Sequence, residues 1–245
     1  MHTHESRSRA FYADRATDVP KLDDRMTRLV AECVALAPRR VLDIGCARGF
    51  LLGQLKDRLP GIECFGLELS SSLAAMSRAD GITVFEQDIA AGVPLPSDSL
   101  DVVVMGEVIE HVFDPDACLE EIRRLLKPSG HVIVTTPNLA AWYNRIMLLF
   151  GMQPIFTETS TRKKYGHGFA ALGQGSVETQ GHLKLFTLGA LRELLDDVGY
   201  AVERVSGYKF YRLQEHAIAN VAESVFRLWP TMASGFIVVA RKPAS

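Results

Sequence analysis

Val41-Leu42-Asp43-Ile44-Gly45-Cys46-Ala47-Arg48-Gly49-Phe50-Leu51-Leu52 reads as a buried strand that turns tightly into a helix. The apolar residues up to Ile44 suit a strand covered on both faces. Gly45 and Gly49 permit the turn, and the first amides of the helix are expected to face a ligand. The next strand-like run, Ile62 to Leu67, is followed by Glu68, 19 residues after Gly49. A carboxylate at that spacing accepts from ribose hydroxyls, so strand, glycine turn and acid together indicate a nucleoside cofactor.

Glycine spacing selects among nucleosides. A dinucleotide turn wants glycines at its first, third and sixth positions, which here hold Gly45, Ala47 and Phe50. That weakens the reading as a nicotinamide-dependent oxidoreductase. Glycines at the first and fifth positions after Val-Leu-Asp-Ile make the segment resemble the first motif of the class I S-adenosylmethionine-dependent methyltransferases. The family usually carries glycine where this chain has Ala47.

The resemblance covers about residues 40 to 137 and returns near the last strand. It implies S-adenosyl-L-methionine as cofactor, with Gly45, Cys46 and Gly49 around the methionine portion and Asp43 positioning the amino group or the loop. It further implies Glu68 and Leu69 at the ribose, Asp88 and Ile89 at the adenine, and Glu107 lining the same pocket. Taken singly, Asp88 also reads as a turn cap and Glu68 as a solvated strand-end charge.

Working outward, strand and helix patterns alternate. Apolar spacing at Met26, Leu29, Val30, Cys33, Val34 and Leu36 predicts a helix over 22–36. Helix 50–58, strand 62–68, a helix led by Ser70, strands 82–86 and 101–105, helix 115–127 and strand 131–136 follow, with Lys127-Pro128-Ser129-Gly130 as a break. From Asn138 to Gln180 the rhythm fails, and it resumes with helix 187–198, strand 200–206, helix 214–228 and strand 235–241.

The expected fold class is therefore α/β, a three-layer, Rossmann-like, seven-stranded and mostly parallel sheet with its ligand cleft at the carboxyl ends of the strands. The family resemblance adds a reversed last strand. A single domain is expected over 1–245: a helical cap (1–38), a cofactor-binding core (39–137), an inserted lid or substrate region (138–182) and the rest of the sheet (183–245). In that lid Trp142, Tyr143, Phe150, Phe156 and Tyr165 are expected to line an apolar wall, and Arg162, Lys163 and Lys164 to meet an anionic part of a substrate. The run Ile146–Phe150 is expected to pack in the core, a lid or subunit contact being its other uses.

A second constellation follows strand 101–105. Glu107, Glu110 and His111 stand at i, i+3 and i+4, on one face of a helical turn, and His182 precedes the later helix. These four side chains can hold one divalent ion, Mg²⁺ being favoured by carboxylates and Zn²⁺, Fe²⁺ or Mn²⁺ admitted by imidazoles. The ExxEH pattern with a distant histidine resembles the small-RNA 3′-terminal 2′-O-methyltransferases and the ubiquinone-pathway O-methyltransferases. Many relatives carry the same pattern without metal, where the histidine orients or deprotonates the acceptor, and His111 also reads as a structural histidine near a helix start. His111 and His182 are the candidate catalytic residues. His131 falls on a core strand, His167 and His216 are placed near the cleft mouth without a role, and His2 and His4 lie in the terminal segment.

The resemblance implies a methyltransferase, with O-methylation of a hydroxyl on a small molecule (a sugar, phenol or other metabolite) as the leading expectation. RNA 2′-O-methylation, N- or C-methylation without metal and a non-catalytic cofactor-binding protein are its alternatives. Charge supports a small molecule over nucleic acid, because 27 basic and 29 acidic residues leave a formal net charge of -2. No stretch reaches the ~18 apolar residues of a membrane span, and four dispersed cysteines without a CxxC pair suit a reduced compartment. A cytoplasmic protein, possible as a homodimer, is expected.

Overall fold

A computed structural model describes residues 22–167, 179–210 and 217–244. Helix α1 (Asp24–Leu36) is capped by Asp23, whose carboxylate accepts from the Met26 amide at 2.7 Å, and it buries Leu29, Val30 and Cys33. There follow β1 (Arg40–Ile44), α2 (Phe50–Arg58), β2 (Glu63–Leu67), α3 (Ser71–Ala79), β3 (Thr83–Phe85), β4 (Leu100–Gly106) and α4 (Pro115–Leu125). β5 (Leu126–Pro137), α5 (Trp142–Leu149), α6 (Leu188–Asp197), β6 (Ala201–Tyr208), α7 (Ala217–Phe226) and β7 (Gly235–Arg241) complete the described elements. Asp114 and Thr187 cap α4 and α6 through the amides of Ala117 and Ala190.

The strands form one sheet in the order β3-β2-β1-β4-β5-β7-β6, in which β7 runs antiparallel to both neighbours and the other pairings are parallel. The α/β sheet with a reversed last strand is thus observed. Leu119, Ile122, Leu125, Leu191 and Leu195 cover one face, and Leu29, Cys33, Leu52 and Leu55 the other. Two-sided cover explains why β1 and β4 are mostly apolar apart from Asp43 and Asp101.

Three local readings are corrected. Lys127-Pro128-Ser129-Gly130 does not separate helix from strand: α4 ends at Leu125, β5 starts at Leu126, and these residues bulge within it. The pairing jumps from Leu100↔Leu126 to Val102↔His131, and Ser129 takes a φ of 64°. The supposedly irregular segment after β5 contains the helix α5. Ile146–Phe150 is not core: Met147 alone is buried, while Ile146, Leu148, Leu149 and Phe150 are 48 to 80% exposed.

Beyond β5 a buried carboxylate fixes the chain. Glu223 on α7 accepts from the Trp142 indole (2.7 Å), the Ser234 hydroxyl (2.7 Å) and the Phe210 amide (2.8 Å), joining α5, α7 and the approach to β7. His2, His4, His216 and residues 168–178 of the expected lid region lie outside the described residues.

Candidate active site

Parallel strands release their loops at one edge of the sheet, and β3, β2, β1 and β4 bring Asp88, Glu68, Gly45 and Glu107 to that edge in order. Gly45 and Gly49 have φ of 71° and 74°, and a Cβ on them would lie 2.7 Å from Val108 Cγ2 and 2.4 Å from Ile82 Cδ1. Packing as well as backbone conformation requires glycine there. Ala47, where the family has glycine, also sits in the left-handed region at φ 48°.

Four amides of the turn are engaged within the protein. Those of Gly45 and Cys46 donate to the Leu67 carbonyl, that of Gly49 to Cys46, and that of Ala47 to Glu68 Oε2 at 2.9 Å. Glu68 Oε1 accepts from the Ser70 amide at 2.8 Å, so this buried carboxylate latches the turn to the start of α3. Cys46 points into the core, its sulfur 2.5 Å from a Cβ built on Gly66. Asp88 caps the short turn Ile89–Ala91 through the Ala90 amide (3.0 Å), with Ile89 buried beneath and Leu69 beside Glu68. Asp43 is buried, and its carboxyl is pushed up to about 8 by burial and then by Glu68, against the pull of Arg25.

Arg25 was missed by sequence reasoning. Its guanidinium reaches from α1 to the end of β4, 3.6 Å from a Cβ built on Gly106. Burial lowers its affinity for the proton, and the charges of Glu107, Tyr208, Asp23 and Glu110 more than restore it. The available signal was a cation one helical turn before Leu29, in register with the buried stripe of α1.

A cavity of about 390 Å³ opens here, with Arg25, Glu107, Glu110, His111, Phe156, His182, Tyr208 and Phe210 in its wall. Glu107, at φ 57°, is held by the hydroxyls of Thr135 (3.0 Å) and Tyr208 (2.7 Å). Phe156 meets Phe210 and His182 edge-on. Of the five residues expected as an apolar wall, Phe156 lines this cavity and Tyr143 is buried, whereas Phe150 and Tyr165 are 71 and 58% exposed and Trp142 packs on Phe226. Arg162 and Lys163 are exposed, and Lys164 donates to Gln180. His167 is buried against the Pro154 carbonyl.

Glu110, His111 and His182 each bring a ligand atom within 4.8 Å of the others. Glu107 is not in this group, which corrects the expected set of four. His111 Nδ1 donates to the Gly181 carbonyl at 3.0 Å and His182 Nδ1 to the Phe156 carbonyl at 2.9 Å, so the lone pair of each neutral ring resides on Nε2. Glu110 Oε2 accepts from Thr136 at 3.0 Å, while its buried Oε1 has no hydrogen-bond partner among the described residues. Burial, then Glu107, raises the Glu110 carboxyl well above the ordinary range. Oriented imidazoles beside an unsatisfied buried carboxylate oxygen suit a divalent cation.

Glu158, also unrecognised from sequence, sets the approach of His182. Its carboxylate accepts from the amides of Gln180, Gly181 and His182, and the Glu110 carbonyl accepts from Leu183 and Lys184. These bonds carry His182 across 71 residues of sequence to its place beside His111, the ring centroids 4.9 Å apart.

A family model described as a methyltransferase domain matches residues 15–205. Among curated proteins, the chain is 34% identical over 116 residues to a ubiquinone biosynthesis O-methyltransferase of Alkalilimnicola ehrlichii, covering 44% of this chain and 46% of that one. It is 31% identical over 112 residues to a demethylmenaquinone methyltransferase of Thermus thermophilus, covering 44% and 51%. The chain thus spans about half the length of the curated relatives it matches. A SAM-dependent methyltransferase structure from Archaeoglobus fulgidus shares the fold, with a TM-score of 0.59 and 20% identity over 89% of this chain and 92% of that one. No helix among the described residues is long and apolar enough to cross a membrane.

Proposed function

Because the chain belongs to the methyltransferase-domain family and is an S-adenosylmethionine-dependent methyltransferase, we propose that it methylates a hydroxyl oxygen of a small molecule held beside Glu110, His111 and His182. The orientation of both imidazoles by backbone carbonyls carries this reading. A cavity of about 390 Å³ is of small-ligand size, and Phe156 with Phe210 favours a phenolic ring over a sugar as acceptor. Phe156, Gln180 and His182, from the expected lid region, supply part of the cavity wall.

The cofactor lies along the strand ends. Asp88 and Ile89 would hold the adenine, Glu68 the ribose, and Gly45 and Gly49 the amino-acid end. Glu107 would lie nearest the sulfonium, the four strand ends together covering ~14 Å. Arg25 would donate to the cofactor's carboxylate, and Asp43 would face its ammonium. Arg25→Ala is expected to raise the KM for S-adenosylmethionine about 10- to 100-fold, the worth of charge-assisted hydrogen bonds, with a smaller change in kcat. Steady-state kinetics with varied cofactor measures it, and an unchanged KM removes Arg25 from the site.

Asp43 adds a proton linkage. With its pKa near 8 in the free protein, this carboxyl is protonated at pH 7, and an ammonium beside it lowers that value. Cofactor binding at pH 7 therefore releases up to about one proton, and Asp43→Asn abolishes the release. Calorimetry in buffers of different ionisation enthalpy reads the number, and equal heats in all buffers would count against the assignment. In the unliganded protein the same raised value means that this group's contribution falls as pH rises from the unfolded carboxylate range toward 8.

Methyl transfer is an in-line displacement: the acceptor oxygen bonds the methyl carbon as the carbon–sulfur bond breaks, giving S-adenosylhomocysteine. The acceptor's proton leaves to His111 or His182 acting as base. A divalent ion held by Glu110, His111 and His182 would supply Lewis acidity that lowers the acceptor's pKa. Cavity walls align oxygen, carbon and sulfur, an effect worth ~7–11 kcal/mol where alignment is good. The test is transfer of labelled methyl to a catechol probe by the purified protein, with and without EDTA and restored Mg²⁺ or Mn²⁺. Protein that binds S-adenosylhomocysteine yet methylates no hydroxyl probe would overturn O-methylation and leave the family assignment intact.

A further inference from the structure

The polarity of α7 is inverted. Ile218, Val221, Val225 and, past the helix end, Leu228 recur at helical spacing and are 88, 66, 45 and 70% exposed. The inward side is polar, with Glu223 buried among Trp142 and Ser234 while Asn220 and Ser224 hold the Lys209 ammonium. A helix at a protein surface ordinarily turns its apolar stripe to the core.

α5 extends this face. Trp142 stacks on Phe226 and the Arg145 guanidinium donates to the Thr231 carbonyl, so the helical row Trp142, Arg145, Ile146 and Leu149 faces the end of α7. Ile146 and Leu149 are 48 and 80% exposed, and Trp229 is 57% exposed. Exposed apolar residues on two neighbouring helices mark an interaction site.

Charge identifies the partner. The acids within 139–167 and 217–234 are Glu158 and Glu223, both buried, whereas Arg145, Arg162 and Lys163 are exposed. The loop bearing Arg162 and Lys163 lies just past Phe150: Gly166 accepts from the Gln153 amide at 2.7 Å, and His167 donates to the Pro154 carbonyl at 3.0 Å. Exposed charge in these stretches is thus cationic although the chain carries -2. A cation-rimmed apolar face repels its own copy and matches anionic headgroups above acyl chains.

We propose that the α5–α7 face docks on the surface of an anionic lipid bilayer, lying in the interface without crossing it. This inference does not depend on the acceptor or on the metal. The test is flotation of the full chain with vesicles of phosphatidylcholine alone or mixed with phosphatidylglycerol, at low and high salt, beside sedimentation equilibrium without lipid. Co-flotation with the anionic vesicles is expected, reduced ~10-fold or more by neutral lipid or high salt. The pair Leu149→Asp with Ile218→Asp should abolish it, with unfolding by circular dichroism unchanged; should that pair misfold, Arg162→Gln with Lys163→Gln must weaken it on its own. Failure to float with anionic vesicles, or a lipid-free dimer that the aspartates dissociate, overturns the proposal. S-adenosylhomocysteine binding, measured separately, reports on the cofactor site alone.

Discussion

His182→Ala is expected to lower turnover about 10²- to 10⁴-fold, the range for loss of a positioned proton acceptor, and Glu110→Gln to lower it under the metal scheme, while S-adenosylhomocysteine affinity changes little in either. Both side chains reach the cavity from the acceptor side, and neither belongs to the strand-end row from Asp88 to Gly45. Glu110→Gln also separates the two schemes for the site. The amide keeps the shape and the Thr136 contact but removes the charge a cation needs beside Oε1. Under the metal scheme, Mn²⁺ titration by calorimetry shows binding in the parent and at least a tenfold loss in Glu110→Gln. Binding tightens as pH rises, because the raised Glu110 carboxyl must shed its proton to bind a cation. Were Glu110→Gln to retain full metal affinity, the triad would not be the ligand set. Were metal-free protein fully active in EDTA while His182→Ala is not, the histidine would act as base alone.

Sequence made the sheet legible because β1 and β4, covered on both faces, leave a mostly apolar run, and because Gly45 and Gly49 allow few alternatives to a tight turn. Glu110 and His111 were legible because i and i+1 in one turn stay together whatever the tertiary structure. Their partner His182 was named, but what places it was not. Glu158 acts through three backbone amides 22 to 24 residues away, and a carboxylate bonded to amides leaves no pattern in side-chain spacing. Arg25 was hidden by the opposite problem, a local pattern with the wrong default, since cations on amphipathic helices are usually solvated. Periodicity also fails for α7, because an apolar stripe at helical spacing says nothing about which side of the helix faces the protein. The same limit misplaced Ile146–Phe150, whose hydrophobicity suits either a core or an interface.

Glu68→Ala is expected to weaken S-adenosylhomocysteine binding by ~10²- to 10³-fold, because two kinds of bond are lost at once. The carboxylate holds the turn through Ala47 and the start of α3 through Ser70, and each oxygen keeps a second lone-pair direction for a ribose hydroxyl. Loss of the latch alone would loosen Ala47, which already sits at φ 48°, and would lower affinity without any contact to the sugar. A comparison with the 2′-deoxy analogue of S-adenosylhomocysteine separates these causes. If Glu68 clasps the ribose, the parent prefers the hydroxylated ligand by ~10-fold or more, and Glu68→Ala loses most of that preference while binding both ligands poorly. If Glu68 only braces the turn, the variant binds both more weakly by one common factor and the preference survives. That second outcome would strip Glu68 of its ligand role and move the sugar's partner elsewhere along the strand ends.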